Sequence, residues 1–167
     1  AQAQIEIGDL DEAEFQLRNA LESWPGFFDA HFNLSVLLGR RGEEEEAARH
    51  LEEALQIDPG HQPTRLLWAR LLGQLGDFSA AAAQFDQLLE LSPADPQAHL
   101  GRARSLLLAE SYLRASTALE SRLRSLPGDR ALRHLMARFL AACPDPELRD
   151  GPSALLLAQE IVDEQLT

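Results

Sequence analysis

The sequence lacks several residue types, and each absence narrows the possible function. All 15 cationic side chains are arginine, and the 27 Asp and Glu residues give a formal net charge of -12. Nucleic-acid binding needs a basic surface that displaces counterions, so we expect no nucleic-acid partner. The single cysteine, Cys143, excludes an intrachain disulfide and a zinc site built from cysteines. No apolar run approaches the roughly 18 residues that cross a bilayer, so no membrane insertion is expected.

Aromatic residues are also scarce, at 6% of the chain. Hydrophobic residues make up 45% and charged residues 25% of the 167 residues, which is typical of a folded protein. Alanine and leucine abound, and this composition favours helix over sheet.

Four residue classes recur along the chain with one common period of about 34 residues. Prolines, alanines, glycines and a series of small residues keep this spacing, and Glu110 interrupts the glycine series. Internal periodicity of this length indicates stacked supersecondary units. The series are Pro25, Pro59, Pro93 and Pro127; Ala13, Ala47, Ala81 and Ala115; Gly8, Gly42 and Gly76; and Ser35, Ala69, Ala103 and Ala137.

Residues 28–61 show how one unit is expected to fold. Apolar residues recur at helical spacing over 29–40, and Gly42 then ends the helix because glycine adopts positive φ without a Cβ clash. A second apolar stripe runs over 43–57 until Pro59 blocks continuation. Such a hairpin cannot bury both faces alone, so neighbouring units must cover it. The predicted core includes Leu34, Leu38, Leu51, Trp68, Leu72, Phe85, Leu106 and Leu119.

These residues resemble the tetratricopeptide repeat family. The first-helix series of that family maps to Leu34-Ser35 and Leu38 in one unit, and to Trp68-Ala69 and Leu72 in the next. The resemblance implies an all-α fold, an α-α superhelix (solenoid) of stacked antiparallel helical hairpins with a 34-residue period. The second-helix pair maps to Ala13 and Leu17, Ala47 and Leu51, Ala81 and Phe85, and Ala115 and Leu119.

One array is expected to fill residues 1–167. Its last helix is apolar on all sides, so we interpret the chain as a stretch of a longer repeat protein. The alternative is a self-contained domain that dimerises through its ends. Turns such as Cys143-Pro144-Asp145 resemble those of bacterial family members and favour a bacterial source. The compartment, cytoplasm or periplasm, stays open. The expected units are 1–27, with a partial first helix over 1–7, then 28–61, 62–95, 96–129, and 130–167 with an insertion near 143–149.

No pattern of catalytic or metal-binding residues stands out, so we expect no enzyme activity, cofactor or metal site in this chain. Histidines His31 and His99 hold equivalent positions two units apart and are not expected to share a metal ion. Cys143 is expected to be a buried, inert thiol. The acidic run 43–46 begins a helix, where carboxylates complement the helix dipole, and is expected to be a solvated face.

Polar residues replace the first-helix tryptophan of the family, which predicts looser packing at those positions. The replacements are His31, Arg65, His99 and Arg133.

The charge is uneven along the chain, since residues 1–61 carry 14 acids and 4 arginines, whereas residues 96–142 carry 3 acids and 8 arginines. Such asymmetry orients a partner or promotes head-to-tail contact; the alternative is that arginine simply serves as the surface cation.

In the tetratricopeptide repeat family the first helices line a concave groove, which implies a peptide-binding face here. Arg70, Arg104 and Arg138 recur on that face once in each repeat, and we predict that this arginine ladder binds an acidic, partly apolar segment. By register, the groove residues are Asp29, Phe32, Val36, Arg40, Leu66, Arg70, Gln74, Gln97, Leu100, Arg104, Leu108, His134 and Arg138.

These features favour a non-catalytic scaffold that binds a protein, as a peptide or a partner helix, in the groove. Self-association through exposed ends of the array is a second expected interaction. Two alternatives stay open at this point. One is a regulatory or targeting array of a larger enzyme of the glycosyltransferase or sulfotransferase type, and the other is an envelope assembly factor.

Overall fold

Nine α-helices follow one another along the part of the chain that the computed structural model describes, which is the backbone of residues 2–164 and the side chains of residues 10–164. These residues contain no strand, so the predicted all-α helical-repeat fold is confirmed. No helix within them is long and apolar enough to span a bilayer. The helices are α1 (Gln2–Ser23), α2 (Phe28–Arg41), α3 (Glu44–Ile57), α4 (Gln62–Gln74), α5 (Phe78–Leu91), α6 (Pro96–Leu108), α7 (Tyr112–Ser125), α8 (Arg130–Ala142) and α9 (Gly151–Asp163).

The first of two compact units, Ala1–Gly76, contains α1 to α4. Helices α2 and α3 form a hairpin at Gly42, whose φ of 78° is left-handed. The Gly42 N–H donates to the carbonyl of Gly39 at 3.3 Å, and the Glu43 N–H donates to that of Leu38 at 3.0 Å. These two bonds satisfy carbonyls that the end of α2 leaves open, so glycine ends this helix as predicted.

The apolar stripes of α2, α3 and α4 meet in the core of the first unit. Most predicted core residues of this unit are buried there, and each buried leucine contributes about 1.5–3 kcal/mol. Trp68 is an exception, because it is only partly buried and packs against the edge of the cluster. The cluster contains Leu34, Leu38, Ala47, Ala48, Leu51 and Leu71.

Helix α1 is continuous from Gln2 to Ser23. The partial first helix expected over residues 1–7 is therefore, over the described residues, the beginning of α1 and not a separate helix. The backbone runs through Gly8 without a break. A glycine inside a helix costs only about 1 kcal/mol relative to alanine, which the hydrogen bonds of an uninterrupted helix offset. A glycine that lies one repeat before Gly42 is therefore not sufficient to end a helix.

The second compact unit, Asp77–Thr167, contains α5 to α9. Four of its helices begin with an aspartate whose carboxylate accepts a hydrogen bond from the backbone N–H three residues later. Such caps each stabilise a helix by about 1 kcal/mol. At α9 the Ser153 hydroxyl and N–H both donate to Asp150 and hold the pKa of its carboxyl below the ordinary value. The capping residues are Asp77, Asp95, Asp129 and Asp150.

The core of the second unit depends on a large and a small residue that face each other. The ring of Phe85 on α5 lies over Gly101 on α6, and a Cβ at residue 101 would lie 2.2 Å from the ring Cζ. Glycine therefore makes room for the buried ring, which is 4% exposed. Two further clusters of buried residues lie in this unit, namely Ala82, Leu106 and Ala115, and Ala103, Leu119, Leu132, Phe139 and Cys143.

Glu110 adopts the left-handed backbone of the glycine series although it is not a glycine. Its φ is 55°, against 78° at Gly42 and 85° at Gly76. The following residue, Ser111, donates its N–H to the carbonyl of Leu106 at 2.9 Å, as at the end of α2. The break between α6 and α7 thus persists without glycine, at a conformational cost of about 1–2 kcal/mol.

Candidate functional site

Three polar residues that were predicted to loosen the helix packing are instead hydrogen-bonded to the turns. Each donates from a ring or guanidinium N–H to the carbonyl of the repeat proline six residues earlier. At these positions a polar contact to the turn takes the place of the apolar contact of a tryptophan. The pairs are His31 and Pro25 at 2.8 Å, Arg65 and Pro59 at 2.5 Å, and His99 and Pro93 at 2.8 Å.

Arg133, the fourth residue of this series, binds α9. Its buried guanidinium donates from Nη1 to both carboxylate oxygens of Glu164, at 2.6 and 2.7 Å. Its Nη2 lies 3.4 Å from a carboxylate oxygen of Glu160. The hydrogen bond to Glu164 raises the pKa of Arg133, so the charge persists despite burial. This arginine serves to fix α9 against α8.

A histidine pair occupies the α2–α3 hairpin. Because the Nε2–H of His31 donates to Pro25, a neutral His31 accepts at Nδ1 from the Nδ1–H of His50, 3.0 Å away. Burial, and then the neighbouring His31, lower the pKa of His50. No group of three or more His, Cys, Asp and Glu residues in the described region is arranged to hold a metal ion. The pair is therefore a hydrogen-bonded part of the fold.

The acidic run 43–46 is not entirely a solvated face. Glu46 is partly buried and accepts from Arg18 at 2.9 Å, across from α3 to α1. Arg18 also binds Glu14 at 2.7 Å, and this bond is the main reason why its pKa is raised. Arg41 donates to the same Glu14 at 2.5 Å. Carboxylates of the first unit therefore neutralise these two arginines.

The predicted groove residues of the first unit are only partly brought together. Val36, Arg40 and Gln74 line a cleft of about 250 Å³ between α2, α3 and α4, and Glu44 lines it as well. The cleft thus carries both signs of charge. Phe32 instead packs against aromatic rings, with its ring centroid 5.6 Å from that of His61.

Five further predicted groove residues line none of the clefts described here. Leu66 is partly buried on α4, and Leu100 packs against the core of the second unit. Register alone therefore does not place a residue in a cleft. Asp29, Arg70 and Gln97 are exposed.

A second cleft, of about 420 Å³, brings together two of the three ladder arginines, and we name it the α6–α8 cleft. Arg104 on α6 and Arg138 on α8 both line it and both are exposed. Leu108, also predicted, lines the same cleft and is 59% exposed. Among the described residues, no carboxylate forms an ion pair with either arginine. Two guanidinium groups are thus available to a ligand.

The remaining walls of the α6–α8 cleft are mostly apolar and were not predicted. Leu107, Leu135 and Phe139 line it together with Tyr112. Partial burial raises the pKa of Tyr112. A tyrosine hydroxyl is protonated near neutral pH and is available as a donor. Leu107 lies three residues after Arg104, close to the same helix face. Including the neighbours at that spacing would have found it.

A third cleft, of about 490 Å³, lies between α8 and α9, and we name it the α8–α9 cleft. His134 and Arg138, both predicted, line its α8 side. Leu155 and Val162 line its α9 side, where they are 72% and 49% exposed. Arg138 therefore borders both the α6–α8 cleft and the α8–α9 cleft. The sequence indicated an unusually apolar α9 but did not assign this face to the groove.

Comparisons with known sequences point to one family. The sequence profile described as tetratricopeptide repeat matches residues 1–61 and 66–130, and a second profile with the same description matches residues 40–90. No curated protein matches the chain.

Solved structures with a similar fold include three helical-repeat proteins. MamA from Desulfovibrio magneticus RS-1 has a TM-score of 0.77 at 14% identity, over 97% of this chain and 89% of that one. YrrB, described as having an unusual peptide-binding site, has a TM-score of 0.78 at 16% identity, over 97% and 81%. A repeat protein from Parabacteroides merdae has a TM-score of 0.63 at 23% identity, over 98% and 68%. At these identities the likeness supports the fold alone.

Proposed function

This chain belongs to the tetratricopeptide repeat family of protein-interaction scaffolds, and we propose that it is a non-catalytic scaffold that binds an acidic, partly apolar segment in its α6–α8 cleft. The observation that carries the proposal is the pair Arg104 and Arg138. Both guanidinium groups are exposed beside apolar walls and lack an ion pair with any described carboxylate. Carboxylates of a ligand would form charge-assisted hydrogen bonds with them.

The expected affinity is modest and depends on salt. Each partly exposed ion pair contributes only about 0.2–1 kcal/mol, and screening weakens it as ionic strength rises. A leucine side chain buried against Leu107 and Phe139 would contribute about 1.5–3 kcal/mol. The apolar residue of the ligand therefore supplies most of the affinity, and the arginines fix its orientation.

One further observation supports the proposal. YrrB shares the fold and is described as a peptide-binding protein. Arg70, the ladder arginine of the first unit, is exposed on α4 and is not needed for the proposed contact.

Self-association is a second candidate, and the exposed apolar face of α9 favours it. Leu155, Leu156 and Val162 are 72%, 63% and 49% exposed. A second copy that covers this face would remove apolar area from water. Sedimentation equilibrium of the purified chain tests it, because a dimer that Leu156→Glu converts to monomer supports the candidate and a monomer at all concentrations rejects it.

The proposed peptide binding is tested by fluorescence anisotropy with a labelled peptide that contains glutamate between leucines. The Arg104→Gln, Arg138→Gln double variant should bind about tenfold more weakly at low salt, with helicity and melting nearly unchanged. The matched control is Arg130→Gln with Arg149→Gln, since both residues are exposed and line neither cleft. Equal losses in both double variants would reduce the effect to net charge, and unchanged binding in the first would overturn the proposal.

A further inference from the structure

In a step that rests on the proposed function, we infer that Tyr112 determines the charge preference of the α6–α8 cleft. Its hydroxyl donates a hydrogen bond to the ligand carboxylate that Arg104 and Arg138 bind. Tyr112 lines the cleft from the first turn of α7, whereas the two arginines lie on α6 and α8. The ligand is therefore a segment in which one acidic side chain meets donors from three helices.

The α6–α8 cleft has a counterpart two repeats earlier, in the first unit. That cleft lies between α2, α3 and α4, and most of its lining residues hold repeat positions that also line the α6–α8 cleft. Leu67 and Leu71 there correspond to Leu135 and Phe139. Both clefts therefore have apolar walls, and the difference between them lies in their polar residues.

Substitutions at equivalent positions change the charge of the lining. Arg104 stands where the first unit has Val36, and Tyr112 stands where it has Glu44. The first-unit lining carries one arginine and one glutamate, so its formal charges cancel. The α6–α8 lining carries two arginines and, among the described residues, no acid. Tyrosine in place of glutamate thus leaves the positive charge of the arginines uncompensated.

The hydroxyl of Tyr112 is available to a ligand. The residue is partly buried and packs against the core cluster of the second unit, which holds the side chain in position. No described residue forms a hydrogen bond with its hydroxyl. A polar group that loses water without gaining a partner costs free energy, so an acceptor on the ligand is favoured. A carboxylate suits this position because it accepts several hydrogen bonds at once, from guanidinium and hydroxyl donors together.

One described carboxylate acts on Tyr112 from outside the cleft. Glu110, two residues earlier, contributes together with burial to the raised pKa of Tyr112 but does not line the cleft. Its side chain is exposed, and solvent screens the charge of exposed groups. The two arginines therefore dominate the charge that a ligand in the cleft meets.

Fluorescence anisotropy with the glutamate peptide and its glutamine counterpart tests the role of Tyr112. Tyr112→Phe removes only the hydroxyl and should weaken binding of the glutamate peptide about fivefold, with a change below about twofold for the glutamine peptide. Tyr112→Glu reproduces the first-unit lining and should abolish the preference for glutamate over glutamine. The matched control is Leu113→Glu, which adds the same charge at a residue that is 69% exposed and does not line the α6–α8 cleft.

A second measurement observes the hydroxyl directly. The chain contains one tyrosine, so a ¹³C label at tyrosine Cζ gives a single NMR signal that needs no further assignment. This signal should shift when the glutamate peptide is added and shift much less with the glutamine peptide. A residue that only supported the packing of the cleft would respond equally to both peptides.

The outcomes separate this inference from the proposed function. Binding that depends on Arg104 and Arg138 but is unchanged in Tyr112→Phe overturns the role of Tyr112 and leaves the proposed function standing. Equal losses in Tyr112→Glu and Leu113→Glu also overturn that role, because net charge then explains the effect. Absence of any arginine-dependent binding overturns both. If Tyr112→Glu does not fold, Tyr112→Phe and the NMR signal decide, and a loss confined to the glutamate peptide supports the inference.

Discussion

The two compact units use the same residue type, arginine, in different ways. Ala1–Gly76 carries 14 acids and 6 arginines, whereas Asp77–Thr167 carries 13 acids and 9 arginines. In the first unit, Arg18 and Arg41 each contact two carboxylates. In the second, Arg102 binds Asp86 at 2.5 Å, yet Arg104 and Arg138 contact no described carboxylate. The function of a recurring arginine thus depends on which carboxylates lie near it.

A second difference concerns how each unit fills the same pair of repeat positions. The second unit pairs Phe85 with Gly101, and at the equivalent positions one repeat earlier the first unit pairs Leu51 with Leu67. A phenylalanine that faces a glycine fills about the same volume as two leucines that face each other, because glycine has no side chain. Dissimilar residues at repeat positions can therefore be complementary.

The largest predicted effect follows from that pair. Phe85→Ala should lower the free energy of unfolding by about 3–5 kcal/mol, because the ring is 4% exposed and its loss leaves a cavity over Gly101. Urea denaturation followed by circular dichroism measures the change. Gly101→Leu should also destabilise the chain, because a Cβ has no room, and adding Phe85→Leu should recover part of the loss. A loss below about 1 kcal/mol for Phe85→Ala would contradict the packing described.

A smaller effect is expected at the break between α6 and α7. Glu110→Gly should stabilise the chain by about 0.5–1 kcal/mol, since glycine adopts the left-handed backbone without strain but loses more entropy on folding. Thermal melting measures the shift. Gly42→Ala, at the equivalent break in the first unit, is the control of opposite sign. Destabilisation by Glu110→Gly would show that its side chain matters more than its backbone.

The smallest effect concerns pH and the histidine pair of the first unit. The folded chain lowers the pKa of His50 below its ordinary 6.5, so the unfolded chain binds the proton more readily. The stabilising contribution of neutral His50 is complete above pH 6.5 and is lost as the pH falls through 6.5 toward the folded pKa. Urea midpoints from pH 8 to pH 5 should decline less in His50→Gln than in the wild-type chain. A decline unchanged by His50→Gln, with the exposed His134→Gln as control, would contradict this.

Most of the fold could be predicted because a helical repeat depends on local patterns. Period, apolar stripes and Gly42 determine where helices begin and end. Gly8 and Glu110 show the limit of these local patterns. Helix α1 continues through Gly8, whereas Glu110 adopts the left-handed backbone that ends α6 although it is not a glycine. Glu46 was missed as an ion-pair partner because its contact with Arg18 joins helices distant in sequence.

The candidate site was less predictable because a cleft requires several helix faces at once. Comparing equivalent repeat positions on the first helices identified Arg104 and Arg138. It did not identify Tyr112, which lies on the second helix of its hairpin, or Phe139, which is not at an equivalent position. It also did not show that Leu155 leaves a cleft open beside α8, because that depends on the packing of α9.

The most direct measurement of the central claim is an NMR titration of the arginine Nε–H resonances with the peptide that contains glutamate between leucines. We predict that the signals of Arg104 and Arg138 shift with the glutamate probe and much less with its glutamine counterpart. The signals of Arg102 and Arg133 should stay in place, because Asp86 and Glu164 already bind them. The two signals are assigned by their loss in the single variants Arg104→Gln and Arg138→Gln. Shifts confined to other arginines, or no shift at Arg104 and Arg138 while the probe binds, would contradict the claim.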